Sequence, residues 1–174
     1  MEFRLLYWLQ GLHSEYSDVI FRNISALGNK GLVWIIPALL MLFNKKWRKC
    51  SAMMLFALFA SFIVGNCLLK NIVMRPRPCW TDPSVELLIK CPKDYSFPSG
   101  HSYSSFSAAT SIFCFNRKAG TAALILASLI AFSRLYLFVH FPTDVISGMM
   151  LGIITGVVSS LLINKLSDSR KTQI

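Results

Sequence analysis

"CSAMMLFALFASFIVGNCLL", residues 50–69, runs for twenty residues without one charged side chain. About 20 apolar residues cross the hydrocarbon of a bilayer as a helix, the one segment form that satisfies its own backbone polar groups. The basic cluster "NKKWRK" (44–49) precedes this stretch and Lys70 closes it, so both ends meet polar surroundings. Four more stretches repeat the pattern. Residues 145–164 are uncharged, and residues 100–115 are uncharged apart from His101, though richer in Ser. Residues 119–133 carry no charge, and their apolar character resumes after Arg134 as far as Val139. Residues 24–43 hold only Lys30, near one end.

Apolar residues make up 54% of the 174-residue chain and charged residues 15%. Five buried helices in a soluble protein would lack the polar sequence needed to cover them. The net charge of +10 would also suit nucleic acid. No nucleic-acid motif accompanies it, so the basic residues are assigned to membrane flanks. The expected fold class is an all-α integral membrane helical bundle of about five to six transmembrane helices. It is expected to be one domain over residues 1–174, with the bundle at 24–174.

Residues 1–23 differ. Phe3, Leu5, Leu6, Trp8, Leu9 and Leu12 are interrupted by Arg4, Gln10 and His13. That mixture predicts an amphipathic helix lying in the interface. It lacks the clean apolar core and small-residue cleavage site of a signal peptide.

The clusters 44–49, 116–118 and 164–171 fall on one membrane face when the spans alternate, and the positive-inside rule makes that face cytoplasmic. Nine of the eighteen Lys and Arg lie on each side, so the raw count is even. Setting aside Lys70, Arg77 and Arg134 for chemistry leaves nine against six, which places residues 70–99 and 134–144 outside. Cys79 and Cys91 both lie in the 70–99 connection. On that face a disulfide and two free thiols are both open.

The outward segments hold nearly every uncommon residue. Lys70, "RPRP" (75–78), "FPSGHS" (97–102) and "RLYLFVHFPTDV" (134–145) bring Lys70, Arg77 and Arg134, with two histidines, from distant parts of the chain to one face. Each group has an ordinary reading: Lys70 as a snorkelling span end, Ser99 as an N-cap, Asp144 as a helix-start residue. Their joint occurrence points to a phosphate site. Phosphoryl transfer is governed by positioning and by neutralising charge on the phosphoryl oxygens. Lys70, Arg77 and Arg134 supply that charge, and Ser99 and Gly100 stand at a helix N-terminus, where free N–H groups favour an anion. His140 is the candidate nucleophile, with Asp144 four residues on to accept its ring N–H. His101 then protonates the leaving oxygen and activates water. Neither an acidic cluster for magnesium nor a Cys/His spacing for zinc is present, so no metal or other cofactor is expected.

These residues resemble the three-part signature of the type 2 phosphatidic acid phosphatase superfamily. The parts are Lys70 with Arg77-Pro78, Pro98-Ser99-Gly100-His101, and Ser133-Arg134 with His140 and Asp144. The resemblance covers residues 70–144 and implies catalysis by His140, His101 and Asp144, with Lys70, Arg77, Ser99, Gly100 and Arg134 around the phosphate. Arg75 falls outside the pattern and is expected to touch a headgroup. The resemblance further implies a bacterial inner-membrane lipid phosphatase that passes through a phosphohistidine. Its expected substrate is undecaprenyl pyrophosphate, with phosphatidylglycerol phosphate or phosphatidic acid as alternatives. From a different class, a non-catalytic lipid-phosphate binder or transporter subunit would need the cations but not the histidine–aspartate set.

Overall fold

The computed structural model describes residues 1–171; residues 172–174 of the expected 24–174 bundle lie outside the described residues. All regular structure among the described residues is helical, in the order α1 (Glu2–Gln10), α2 (Glu15–Leu27), α3 (Leu32–Leu42), α4 (Arg48–Ser61), α5 (Lys70–Val73), α6 (Pro78–Thr81), α7 (Gly100–Phe115), α8 (Arg117–Tyr136) and α9 (Pro142–Lys171). A 3-10 turn at Asn29–Gly31 joins α2 to α3, and a π-helical stretch at Phe62–Leu69 joins α4 to α5.

Three helical stretches are long and apolar enough to cross a membrane: Arg48–Thr81, Arg117–Tyr136 and Pro142–Ser169. Among the described residues one bent pair, Glu15–Leu27 with Asn29–Leu42, passes the same test when its two helices are taken together, across a 47° bend. The elbow falls where Lys30 and Gly31 both take positive φ, at 54° and 68°, values that end a right-handed helix. The chain is therefore a multi-pass helical membrane protein. Large apolar side chains, Leu40, Phe43, Ile154 and Leu161 among them, stay exposed, as a bilayer-solvated surface requires.

Two expected boundaries move. The single helix expected over 1–23 is two helices, because the chain turns after Gly11 and Ser14 caps α2 in a reciprocal capping box with Ser17. The span expected to begin at residue 24 begins inside α2, whose register continues unbroken to Leu27. Amphipathic periodicity showed the apolar face of this region, but a capping box lies in two serines and carries no hydropathy signal.

Helix α7 is the centre of the bundle and packs on α4, α8 and α9. Its contact with α9 is close enough to need glycine. A Cβ on Gly152 would stand 2.7 Å from Phe106 Cβ and 2.8 Å from the Tyr103 carbonyl oxygen, so only a bare backbone fits there. That approach fixes the N-terminus of α7 against the start of α9, the two points from which His101 and Asp144 extend.

Candidate active site

Each site residue sits at a helix end, where the backbone changes direction. Lys70 follows the π-helical stretch, whose wider turns shift the side-chain phase; it is buried while residues 71–74 are exposed. Arg77 caps the short helix α6, with Pro78 supplying the fixed φ of a first helical residue. Arg134 lies in the last turn of α8, His140 in the turn that follows, and Asp144 in the first turn of α9.

These elements enclose a cavity of about 630 Å³. Lys70, Arg77, Gly100, His101, Arg134 and His140 line its polar end. Ile35 on α3 and Leu55, Leu58 and Phe59 on α4 give it an apolar side. The structure thus brings seven of the eight expected residues together around one space, counting Asp144 behind His140. Ser99 is the exception. It is fully buried below the cavity wall, where its hydroxyl accepts hydrogen bonds from the Ser102 N–H and hydroxyl. Its own N–H donates to the Asp144 carbonyl at 3.0 Å. Ser99 therefore builds the turn that presents Gly100 and His101 instead of facing the phosphate space itself.

The geometry around His140 sets its tautomer. Arg77 Nη1 lies 3.0 Å from Nε2 of His140 and can only donate, so Nε2 carries the lone pair and Nδ1 the proton. Burial, then the positive charges of Arg77 and Arg134, hold the His140 pKa well below the ordinary imidazole value. The ring is neutral, and its basic nitrogen rests on Arg77, which lines the cavity beside it.

On the other side of the ring the expected direct bond to Asp144 is replaced by a bridge. Asp144 Oδ2 is 3.6 Å from Nδ1, too far for a hydrogen bond. Ser96 Oγ stands between them, 3.3 Å from Nδ1 and donating to Asp144 Oδ2 at 2.5 Å. Asp144 Oδ2 also accepts the Phe141 N–H at 2.8 Å. Its second oxygen, Oδ1, accepts from Arg75 Nη1 at 2.7 Å.

Arg75, expected at a headgroup, is engaged instead with the residues behind His140. Its guanidinium turns inward, stacks over the Phe141 ring at 4.2 Å, and pairs with both Asp144 and Glu2. A fully buried carboxylate needs such a counter-charge, and Arg75 is the cation that pairs with it directly.

His101 Nε2 is 3.1 Å from Asn29 Oδ1. The elbow between α2 and α3 presses on this ring: a Cβ on Gly28 would stand 2.5 Å from His101 Cδ2. Arg134 is buried and donates to Ser25 Oγ, leaving its Nε with no partner. A buried guanidinium with an unmatched donor and no carboxylate hydrogen-bonded to it favours an anion in the adjoining space.

Residues 32–168 match the family model of the PAP2 superfamily. The chain belongs to this superfamily. It is 30% identical over 153 residues to the bacitracin transport permease protein BcrC of Bacillus licheniformis, covering 86% of this chain and 74% of that protein. It is 32% identical over 121 residues to an undecaprenyl-diphosphatase of Sulfolobus acidocaldarius, covering 69% of this chain and 58% of the relative. The crystal structure of Aquifex aeolicus LpxE superposes with a TM-score of 0.77 at 28% identity, covering 91% of this chain and 93% of that one. The coarse chemistry follows from the family: this PAP2 protein is a membrane lipid phosphatase.

Four site features escaped the sequence reading. Ser96 and Asn29 are single polar residues beside larger motifs, with no spacing to mark them. Glu2 lies far away in sequence. Asp94, whose carboxylate pairs with both Lys70 and Arg77, reads in sequence as an ordinary loop charge. Burial alone would push its carboxyl up, but the Lys70 hydrogen bond and the Arg77 charge outweigh this and pull its pKa to about 2. The Cys79 and Cys91 sulfurs are joined, tying the start of α6 to the loop that carries Asp94.

Proposed function

We propose that the protein removes the terminal phosphate of a lipid diphosphate, undecaprenyl pyrophosphate, through a phosphohistidine on His140. The observation that carries this reading is the placement of His140 Nε2, unprotonated, in a cationic cavity with an apolar wall. In the first step Nε2 attacks the terminal phosphorus, and the bond to the bridging oxygen breaks. Lys70, Arg77 and Arg134 neutralise the charge that develops on the phosphoryl oxygens. His101, protonated once the bound phosphate charge offsets the surrounding cations, gives that proton to the bridging oxygen, releasing the lipid monophosphate and leaving a neutral ring. In the second step His101 takes a proton from water, whose oxygen attacks the phosphorus, and the phosphorus–Nε2 bond breaks to yield inorganic phosphate. Ser96 and Asp144 stabilise the Nδ1 proton throughout.

The cations come from side chains, so turnover is metal-independent. The apolar walls from α3 and α4 suit a hydrocarbon chain, which supports a lipid carrier. The chain acts as one unit in a bacterial inner membrane. Its site is extracytoplasmic, because α4, α8 and α9 each have their basic cluster at the end remote from it. The name of the Bacillus licheniformis relative favours a second reading, a transporter component, and phosphatidylglycerol phosphate and phosphatidic acid remain competing substrates. Purified protein is to be given each of these lipids, with phosphate release followed with and without EDTA. The proposal predicts fastest release from undecaprenyl pyrophosphate, unchanged by EDTA. Release from no lipid favours the transporter reading, and a faster monophosphate lipid replaces the substrate.

A further inference from the structure

We infer that Asp94 sets the phosphate affinity of this site: its carboxylate occupies the place on Lys70 and Arg77 that phosphate oxygens must take, so each phosphate binds by displacing it. This rests on the proposed phosphatase site and adds to it an internal competitor.

The geometry separates fixed partners from the one that moves. The Lys70 and Arg77 side chains are 8% and 2% exposed, whereas that of Asp94 is 54% exposed at the mouth of the cavity. Asp94 Oδ1 accepts from Arg77 Nη2 at 2.9 Å, and Oδ2 accepts from Lys70 Nζ. Arg77 independently holds the backbone of the same loop, through Nε to the Asp94 carbonyl at 2.6 Å and Nη2 to the Tyr95 carbonyl at 3.3 Å. The loop is pinned on both sides of Asp94, by the Cys79–Cys91 bridge and by the Ser96 N–H on the Arg75 carbonyl at 2.8 Å. The carboxylate therefore leaves by rotation about its own side-chain bonds, with the loop and both cations in place.

Charge decides which anion prevails. Asp94 brings one negative charge to three cations: it is bonded to Lys70 and Arg77 and acts on Arg134 only through space, so the unpartnered Arg134 Nε is left for the incoming group. A phosphate dianion engages all three and outcompetes the carboxylate. The product is the same kind of dianion, and a clamp of three unopposed cations would hold it. Asp94 lowers the affinity of substrate and product together, the uniform binding that sets KM without raising the chemical rate.

The test uses the full chain in detergent, with Asp94→Asn and Asp94→Ser as paired variants so that one misfolded protein does not decide the matter. Inorganic phosphate and orthovanadate are titrated by thermal shift and, separately, as inhibitors of lipid turnover. Removing the competing charge is expected to tighten both anions by about five- to tenfold and to lower KM in the same proportion, without raising kcat. If Asp94 were only a brace for Lys70 and Arg77, both variants would bind the anions more weakly. Weaker or unchanged binding, or no binding in parent and variants alike, overturns the proposal. A parent that binds vanadate but releases no phosphate from any lipid contradicts the phosphatase reading and leaves the role of Asp94 to be decided by the shifts alone.

Discussion

Arg75 Nη1 donates to Asp144 Oδ1 at 2.7 Å, on the carboxylate oxygen that does not face the His140 bridge. The same guanidinium pairs with Glu2, and Glu2 Oε1 accepts from the Thr143 N–H and hydroxyl at 3.1 and 2.7 Å. The N-terminal helix is thereby fastened to the turn that carries the histidine–aspartate set. Phe3 adds an edge contact to Phe141 at 5.2 Å between ring centroids. Asp144, with no exposed surface, depends on these donors for its orientation.

Truncating Arg75 to Ala removes a hydrogen-bonded charge partner of a buried carboxylate, a loss of about 1.5–3 kcal/mol, or roughly ten- to hundredfold in kcat. KM is expected to hold, because Arg75 is not among the residues lining the cavity. Glu2→Gln, one contact further out, is expected to lower kcat in the same direction by less. Steady-state kinetics on both variants checks the order; a KM effect alone would return Arg75 to headgroup binding.

Ser96→Ala tests the bridge. With the hydroxyl gone, the Nδ1 proton faces Asp144 across 3.6 Å with nothing between them. The expected loss is about tenfold in kcat, in line with one hydrogen bond to a charged group. Ser96→Thr, which restores the hydroxyl, is expected to recover part of it. Full activity in the Ala variant would show that His140 and Asp144 close the gap directly.

The depressed pKa of His140 has a direction in pH. Its nucleophilic form is neutral, so kcat is expected to stay level as pH falls through the ordinary imidazole value of about 6.5 and to decline only below it. Replacing Arg77 by Gln removes a neighbouring cation and is expected to move that acid limb to higher pH. For stability, the unfolded chain takes up this proton before the folded one does, so acid favours unfolding. The midpoint of thermal unfolding is expected to fall between pH 7 and pH 5. A pH–rate profile with its acid limb at or above 6.5 would contradict the assignment.

Gly28→Ala reaches the second histidine without touching it in sequence. The added methyl would stand 2.5 Å from His101 Cδ2 and 2.8 Å from Ile130 Cγ2, so the ring or the elbow has to shift. Displacing a general acid loses up to about 10²–10⁴ in rate. The variant is expected to fall in kcat toward His101→Ala, and wild-type kinetics would mean that the elbow does not position His101.

Much of this arrangement was legible in sequence because it follows from physics that repeats along the chain. The uncharged run 50–69 announces a membrane helix by length and polarity alone. Lys70, Arg77, His101, Arg134 and His140 stand out because charge at such boundaries is costly. The rest is specified by single residues whose meaning is tertiary. Ser96 matters because the turn before α7 sets it between His140 and Asp144. Asp94 matters because its loop folds back over α5. Arg75 carried a charge pattern suited to a headgroup, and only the burial of Asp144 shows why it turns inward. The break at Ser14 depends on a cap, which periodicity does not record.

The central claim is that His140 Nε2 becomes covalently phosphorylated. Mixing enzyme with radiolabelled lipid diphosphate, quenching in alkali to preserve phosphohistidine, and mapping the labelled peptide tests it directly. Transient label is expected on His140 in the parent protein, none in His140→Ala, and accumulation in His101→Ala under conditions where the second step is slowed. Phosphate release at near-parental rate by His140→Ala, or label on a residue other than His140, would contradict it.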